Sequence, residues 1–363
     1  MRGEVDPQSS MFHYFSVESR IPADHPLRRV KKLAESALSA ISAELDGLYA
    51  RTGRPSIPPE RLLKAQLLIA FYSVRSDRLF CEQLDYNLLF RWFLDLDLES
   101  GGLDQSNFSR LRERLVETDI ARRFFDEVVR LARKDKLLSS DHFTVDGTLI
   151  DAWASFKSFK RKDDDEPPKP GDGTGMVDFK GEKRSNATHQ STTDPEAKLM
   201  RKGNGQPAKL SYGGHALMEN RSGLCVDLLI TDATLAEHQA ARQLLTRARR
   251  RKIHPKTLGA DKGYHVKDFV QHLREHGIKP HIARIDGRKT PGLDGRTSCT
   301  EGYKVSQRKR KRVEEIFGWL KTVGGMRKTR FIGEARTQIA AYLSAAAYNL
   351  LRIAKLQSAG SAA

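Results

Sequence analysis

Three carboxylates stand out by the company they keep. Asp146 lies in Phe143-Thr-Val-Asp-Gly-Thr-Leu-Ile150, and Asp261 in Leu258-Gly-Ala-Asp-Lys-Gly-Tyr264. Each follows a short apolar run and has a glycine close behind it, which reads as an acid at or near the end of a strand. The third, Glu314, lies in Gln307-Arg-Lys-Arg-Lys-Arg-Val-Glu-Glu-Ile-Phe-Gly-Trp-Leu-Lys321, where a basic run turns into an amphipathic helix. At about 100° per residue, Arg310, Glu314 and Lys321 fall within roughly 40° of one another on a helical face. Val313, Phe317 and Leu320 form an apolar stripe beside that face, and Glu315 points away from both.

Three acids gathered from two strands and a helix suit phosphoryl transfer. Mg²⁺ prefers oxygen ligands and takes few carboxylates, leaving positions for water and substrate phosphate. Two such ions activate the attacking oxygen and stabilise the leaving one in an in-line displacement. Any one of these aspartates alone would be read as a turn or cap residue, and Asp151, Asp227, Asp232 and Asp286 are neighbouring decoys.

The elements that must position these acids follow from the hydrophobic pattern. Residues 1–138 read as a helical N-terminal domain suited to DNA-end binding or dimerisation. Asp24 is a candidate N-cap for a helix running to about Tyr49. A second helix spans Glu60 to about Val74, a third opens at Ser76 and continues to Phe93, and a basic helix covers Ser106–Leu115. On that last helix Arg110, Arg112 and Arg114 are either DNA contacts or a solvated basic face. From residue 139 to 357 the pattern becomes mixed. It gives a strand with Asp146, a hairpin around Glu219–Gly223, a helix over 236–250, the Asp261 strand, a helix from Lys267 to about His276 and a strand at His281–Ile285. The Glu314 helix and an apolar helix from Thr337 to about Ala354 follow. A polar stretch at about 160–206, including Asp163-Asp-Asp-Glu, cannot bury a core and is expected to be mostly flexible. The order suits an α/β fold, a mixed sheet flanked by helices like that of ribonuclease H, behind an all-α N-terminal domain.

Composition points to the partner. Of 363 residues, 63 are Lys or Arg and 46 Asp or Glu, for a formal net charge of +17. Such an excess favours a polyanion, because neutralising phosphates releases counterions. Arg247, Arg249, Arg250, Arg251 and Lys252, with Lys309, Lys311 and Arg312, form basic clusters that either track a DNA backbone or are simply solvated. Trp153 and Trp319 read as packing residues. Cys81, Cys225 and Cys299 fit neither a disulfide framework nor a zinc pair. With no membrane-length apolar run and no apolar leader, a cytoplasmic protein is expected.

The three blocks Thr144-Val-Asp146-Gly-Thr, Gly259-Ala-Asp261-Lys-Gly-Tyr264 and Arg310-x3-Glu314-x6-Lys321 resemble those of a bacterial insertion-sequence DDE transposase. They are most similar to the insertion sequence five group, which is related to the insertion sequence four group. Gly53-Arg-Pro-Ser56, Ser76-Asp-Arg and Tyr86-Asn-Leu-Leu-Phe-Arg-Trp-Phe93 resemble the helical leader of that group. So do Thr188-His-Gln-Ser-Thr-Thr-Asp-Pro195 and Lys209-Leu-Ser-Tyr-Gly-Gly-His215. The resemblance spans nearly the whole chain, with one departure: the family's last-helix tyrosine is Gln307 here.

That resemblance implies that Asp146, Asp261 and Glu314 hold two Mg²⁺ ions, with Mn²⁺ a possible substitute. It implies cleavage at terminal inverted repeats and strand transfer to target DNA. Arg310 and Lys321 would grip phosphates, and the protein would work as a homodimer on paired ends, nucleoid-associated when bound to double-stranded DNA. His238, in Thr231-Asp-Ala-Thr-Leu-Ala-Glu-His238, matches a recurrent family position and is left outside the catalytic set. The alternatives are a catalytically silent DNA-binding derivative of a transposase, and a nuclease of the same fold that cuts without joining.

Overall fold

The computed structural model describes residues 16–47, 52, 56–162, 184–203 and 205–360. The acidic run at 163–166 and the turn at 53–55 lie outside them. Helices α1 (Val17–Arg20), α2 (Leu27–Ala40), α3 (Ser42–Asp46), α4 (Pro59–Phe71), α5 (Asp77–Tyr86), α6 (Leu88–Phe93), α7 (Gln105–Glu117) and α8 (Ile120–Lys134) form the N-terminal part. Caps set several of the breaks. Ser76 accepts from the Leu79 amide and Asn87 from the Phe90 amide, so the stretch expected as one helix from Ser76 to Phe93 divides at Asn87. The first long helix differs from expectation too. Pro26 stands at its N-cap, Asp24 makes no cap, and the helix breaks at Ile41.

The second part is a mixed sheet. Strand β1 (His142–Asp151) pairs antiparallel with β5 (Lys209–Glu219) and parallel with β7 (Thr257–Ala260), which pairs parallel with β8 (Lys279–Ile282). On its other edge β5 pairs antiparallel with β6 (Leu224–Asp232) and with the short β4 (Lys198–Met200). This is the ribonuclease-H-like arrangement, an antiparallel meander continued by parallel strands. Helices α9 (Glu237–Arg250), α10 (Lys267–Glu275), α11 (Gly295–Ser298), α12 (Glu301–Lys309), α13 (Val313–Thr322) and α14 (Glu334–Gly360) complete the chain.

Helix α14 runs well past the expected Thr337–Ala354 at both ends. It packs on β6 and against α8, α4 and α2. The buried apolar residues of both parts consequently form one continuous core, from Val30 and Leu63 through Phe125 and Ala346 to Val226 and Leu258.

Residues 184–203 are not the flexible stretch their polarity suggests. Strands β2 (Phe159–Arg161) and β3 (His189–Ser191) pair, and the Asn186 side chain bonds the Leu199 backbone at both N–H and C=O. The Tyr212 hydroxyl donates to the fully buried Asp194 carboxylate at 2.7 Å. Polar groups here are satisfied inside the fold, which composition alone does not reveal.

Candidate active site

Asp146 stands in the middle of the ten-residue β1, not at its end. Its position follows from register. Thr144 is paired with Gly259 on the parallel neighbour β7, so two residues further along Asp146 and Asp261 come side by side on the same face. Strand β7 stops at Ala260, and Asp261 caps the short 3₁₀ turn Lys262–Tyr264 by accepting from the Gly263 amide at 2.9 Å. Asp146 accepts from the Gly147 amide at 2.8 Å.

The third acid arrives on a helix that crosses this face. Between α12 and α13 the chain tightens into a 3₁₀ turn over Arg310–Arg312, where the sequence suggests unbroken α-helix. The turn lies against Gly259, where an added Cβ would stand 3.2 Å from Arg310 Cβ and 3.3 Å from Ser306 Oγ. Ser306 also bonds the His142 ring at the start of β1. A side chain at 259 would press on this crossing, which brings Arg310 and Glu314 over the strands. Val313, Ile316, Phe317 and Leu320 are buried beneath α13, while Glu315 turns to Arg312 and Arg352 on the other side.

The electrostatics record the juxtaposition. Burial pushes the Asp146 carboxyl up to about 6, with Asp261 and Glu314 raising it further and the Gly147 amide and Arg310 opposing them. Gln307, at the position of the family's tyrosine, accepts from Arg310 Nε at 3.0 Å through Oε1 and donates to the His281 carbonyl through Nε2. It therefore fastens Arg310 to β8. Lys321, at the far end of α13, donates to Thr148 Oγ1 at 2.5 Å. It shares a cleft with Lys202, Lys209 and Arg327, and burial lowers the pKa of its ammonium.

A fourth carboxylate, which sequence reasoning misses, reaches the same place. Glu237 opens α9, which packs across β6, β5 and β1. The residue as a whole is exposed, but its carboxylate reaches toward the strands: Oε1 lies 2.8 Å from where a Cβ on Gly147 would stand, and Oε2 3.4 Å from the equivalent point on Gly263. Burial of this end, with Asp261 and Asp146 nearby, pushes its carboxyl up to about 7. The available signal is position: Glu237 directly precedes His238, whose segment matches a recurrent family position. His238 itself is flanked by Arg242 and Asp268.

An all-oxygen donor set of this kind fits a hard divalent cation. Among the described residues, the only trio with ligand atoms all within 4.8 Å of one another is His272, Glu275 and His276 at the C-terminal end of α10. The acids of the active site form a wider cluster than that. Three of the four decoy acids are occupied elsewhere, and the fourth, Asp286, is exposed. Asp227 is buried against Arg251 at 2.7 Å, Asp151 meets Lys209 at 2.7 Å, and Asp232 caps Thr234 at 2.7 Å.

The basic residues divide. Arg110, Arg250 and Lys309 are exposed. Arg112 is committed within the protein, paired with the buried Asp77 and stacked 5.0 Å over Phe331. Arg312 holds the β5–β6 turn, donating to the Asn220 and Arg221 carbonyls at 2.5 and 2.8 Å. Arg251 bridges Asp126 and Asp227. Trp319 packs edge-on against Tyr348, but Trp153 is 52% exposed beneath Lys328. The chain leaves the sheet after Asp151 and turns that ring outward.

Two family profiles match the chain. One, described as a transposase domain of the DUF772 type, covers residues 15–114, and the other, the transposase DDE domain, covers residues 176–350. The chain belongs to the DDE transposases. It is a DNA transposase, an enzyme that acts on DNA with divalent metal ions. The DDE profile spans Asp261 and Glu314; Asp146 lies ahead of it, and the β1–β7 pairing puts it beside Asp261. No match was found among curated proteins. Among solved structures, a piggyBac transposase synaptic complex with hairpin DNA is 11% identical, with 93% of this chain and 76% of that one covered and a TM-score of 0.43. A pre-cleavage Mos1 transpososome is 12% identical over 84% of this chain and 81% of that one, with a TM-score of 0.21. The assignment rests on the profiles, not on these distant likenesses. Among the described residues, no helix of this transposase is long and apolar enough to cross a membrane.

Proposed function

We propose that this transposase cuts at the terminal inverted repeats of its own insertion sequence and joins the freed 3′-hydroxyl to target DNA. In this reading Asp146, Asp261 and Glu314 hold two Mg²⁺ ions, for which Mn²⁺ can substitute, and the element belongs to the insertion sequence five group. Bound there, the ions would activate the attacking oxygen and stabilise the leaving one. The observation that carries the reading is the convergence on Asp146 of charge from Asp261, Glu314 and Arg310, residues remote from it in sequence.

The chain's own groups divide the remaining work. Arg310, steadied by Gln307, sets a guanidinium beside the acids where a scissile phosphate would lie. Lys321, further along β1, meets the next phosphate as a point charge. Arg110, Arg250 and Lys309 are exposed and suited to following a duplex backbone, whereas Arg112 and Arg312 act by holding the scaffold. The N-terminal region, 1–138, binds the element end, and two copies pair two ends.

The test is a labelled duplex from the DNA flanking the gene, incubated with protein, Mg²⁺ and a supercoiled plasmid. Labelled plasmid products support transposition. Hydrolysis without joining reduces the protein to a nuclease, and binding without cutting to a silent DNA-binding derivative.

A further inference from the structure

Glu237 has an ordinary explanation that its geometry does not support. An acid in the first turn of a helix favours the positive end of the helix dipole. A carboxylate in that role stays by its own helix amides. The Glu237 carboxylate instead leaves α9 and straddles two glycines, Gly147 just after Asp146 and Gly263 two residues after Asp261. Gly263 is itself 3.1 Å, at the same Cβ point, from Asp261 Oδ1, so one oxygen each of Glu237 and Asp261 borders that point.

Topology explains how it gets there. Asp146 and Asp261 share the sheet face that α12 and α13 cross, while Gly147 points to the other face. Pairing between β1 and β7 ends with Thr144 and Gly259, and β1 runs on to Asp151. The edge of β1 beside Asp146 is therefore open, and Glu237 comes to that opening from the opposite face.

A second, independent observation lies around it. His215, paired across the sheet with Gly147, is 3% exposed, and its Nδ1 has no hydrogen-bond partner. That nitrogen lies 3.1 Å from the same Gly147 Cβ point that Glu237 Oε1 approaches to 2.8 Å. Its Nε2 is already engaged by Thr231 Oγ1 at 3.1 Å, which fixes the ring. The fully buried Tyr264 hydroxyl is also unpartnered, and the charges acting on it are those of Glu237, Asp146 and Asp261. Buried polar atoms without partners are uncommon; here His215 Nδ1 borders the point that Glu237 Oε1 approaches, and the Tyr264 hydroxyl lies within reach of the charge of the same acids.

We propose that Glu237 is a fourth carboxylate of the metal centre, binding a divalent cation together with Asp146 and Asp261 from the opposite face of the sheet. His215 and Tyr264 are its positioning residues. The imidazole Nδ1 and the phenol O–H orient the carboxylate or a water on the cation, as outer partners of metal ligands do. The inference rests on the reading of Asp146, Asp261 and Glu314 as metal ligands, and its test separates the two.

The experiment is Mn²⁺ uptake, followed by the electron paramagnetic resonance of free Mn²⁺, with and without a bound DNA end. Wild type, Glu237→Gln, Glu237→Asp and Asp146→Asn are compared, and melting in EDTA is recorded for each. Glu237→Gln is expected to weaken Mn²⁺ at least tenfold or to lose one ion, with Glu237→Asp intermediate. Its melting temperature in EDTA should be unchanged or higher, because a repelling charge is gone. A wild-type Mn²⁺ isotherm in Glu237→Gln, or in Glu237→Asp if the glutamine variant does not fold, overturns the proposal. If Asp146→Asn loses Mn²⁺ in that case, the three-acid reading stands without Glu237. If Asp146→Asn also binds normally, or wild type takes up no Mn²⁺ in either state, both fall.

Discussion

Lys321 Nζ donates to Thr148 Oγ1 at 2.5 Å, which fastens the far end of α13 to the strand that carries Asp146. Asp146 and Thr148 lie on one face of β1, and Glu314 and Lys321 lie two turns apart on α13. Lys321 thus ties the end of α13 to β1, while Glu314, two turns earlier on the same helix, acts on Asp146. Lys321→Met keeps the stem and removes the charge. It is expected to slow single-turnover cleavage about 10²-fold, the scale of one missing charge-stabilising donor. Thr148→Val, which removes only the anchor, should cost less. Equal, wild-type rates in both would dismiss this contact.

Gly259 sets how closely the helix carrying Glu314 can approach. A valine there must push back Arg310 Cβ and Ser306 Oγ, both already at the edge of contact. Overpacking of this kind costs about 1–3 kcal/mol. Gly259→Val should therefore lower the urea midpoint and reduce cleavage further than its loss of stability explains. Wild-type stability and cleavage in this variant would show that the crossing is looser than described.

Arg110 and Arg112 are two residues apart and should behave oppositely. Arg112→Ala leaves the buried Asp77 carboxylate without its main partner and removes the stack on Phe331, a loss of about 3 kcal/mol. Thermal melting reads it, and the salt dependence of DNA binding should stay as in wild type. Arg110→Ala should leave melting unchanged and flatten the salt slope by about 0.9 for each phosphate that the side chain neutralises. The reverse pattern would make Arg112 the residue that meets DNA.

The acids predict a pH dependence with a definite sign. Asp146 titrates near 6 and Glu237 near 7 in the folded protein, both above ordinary carboxylates. Their contribution to metal-free stability is fully present below the unfolded values and is lost as pH rises through the folded ones. In EDTA, Asp146→Asn should gain on wild type as pH rises from about 4 to about 6 and keep that gain above it. Divalent cation should raise the wild-type melting temperature most at the upper end, since binding then displaces few protons. A cation-induced shift that shrinks with rising pH would contradict this assignment.

Much of the fold is legible in the sequence because periodicity and turn chemistry report it directly. The hairpin at Glu219–Gly223, the α9 span and the position of Asp261 at the end of β7 all follow from local pattern. The place of Asp146 within its strand does not, because an apolar run followed by glycine looks like a strand end. Here Gly147 continues the strand, and its missing side chain makes room for Glu237. The ordered strands over 189–200 are hidden because their stability comes from buried polar pairs such as Asp194 and Tyr212, which composition counts as exposed. Glu237 is hidden for a different reason. An acid at a helix start is explained locally, and only the β1–β7 register shows which acids lie opposite it.

The most direct test of the account is end cleavage in Mg²⁺ by wild type, Asp146→Asn and Glu314→Gln on a labelled element end, with binding measured alongside. The account predicts that wild type cuts at the element end and that both variants bind it without cutting. Cutting by either variant at the wild-type rate would contradict the assignment of Asp146, Asp261 and Glu314 as the catalytic centre.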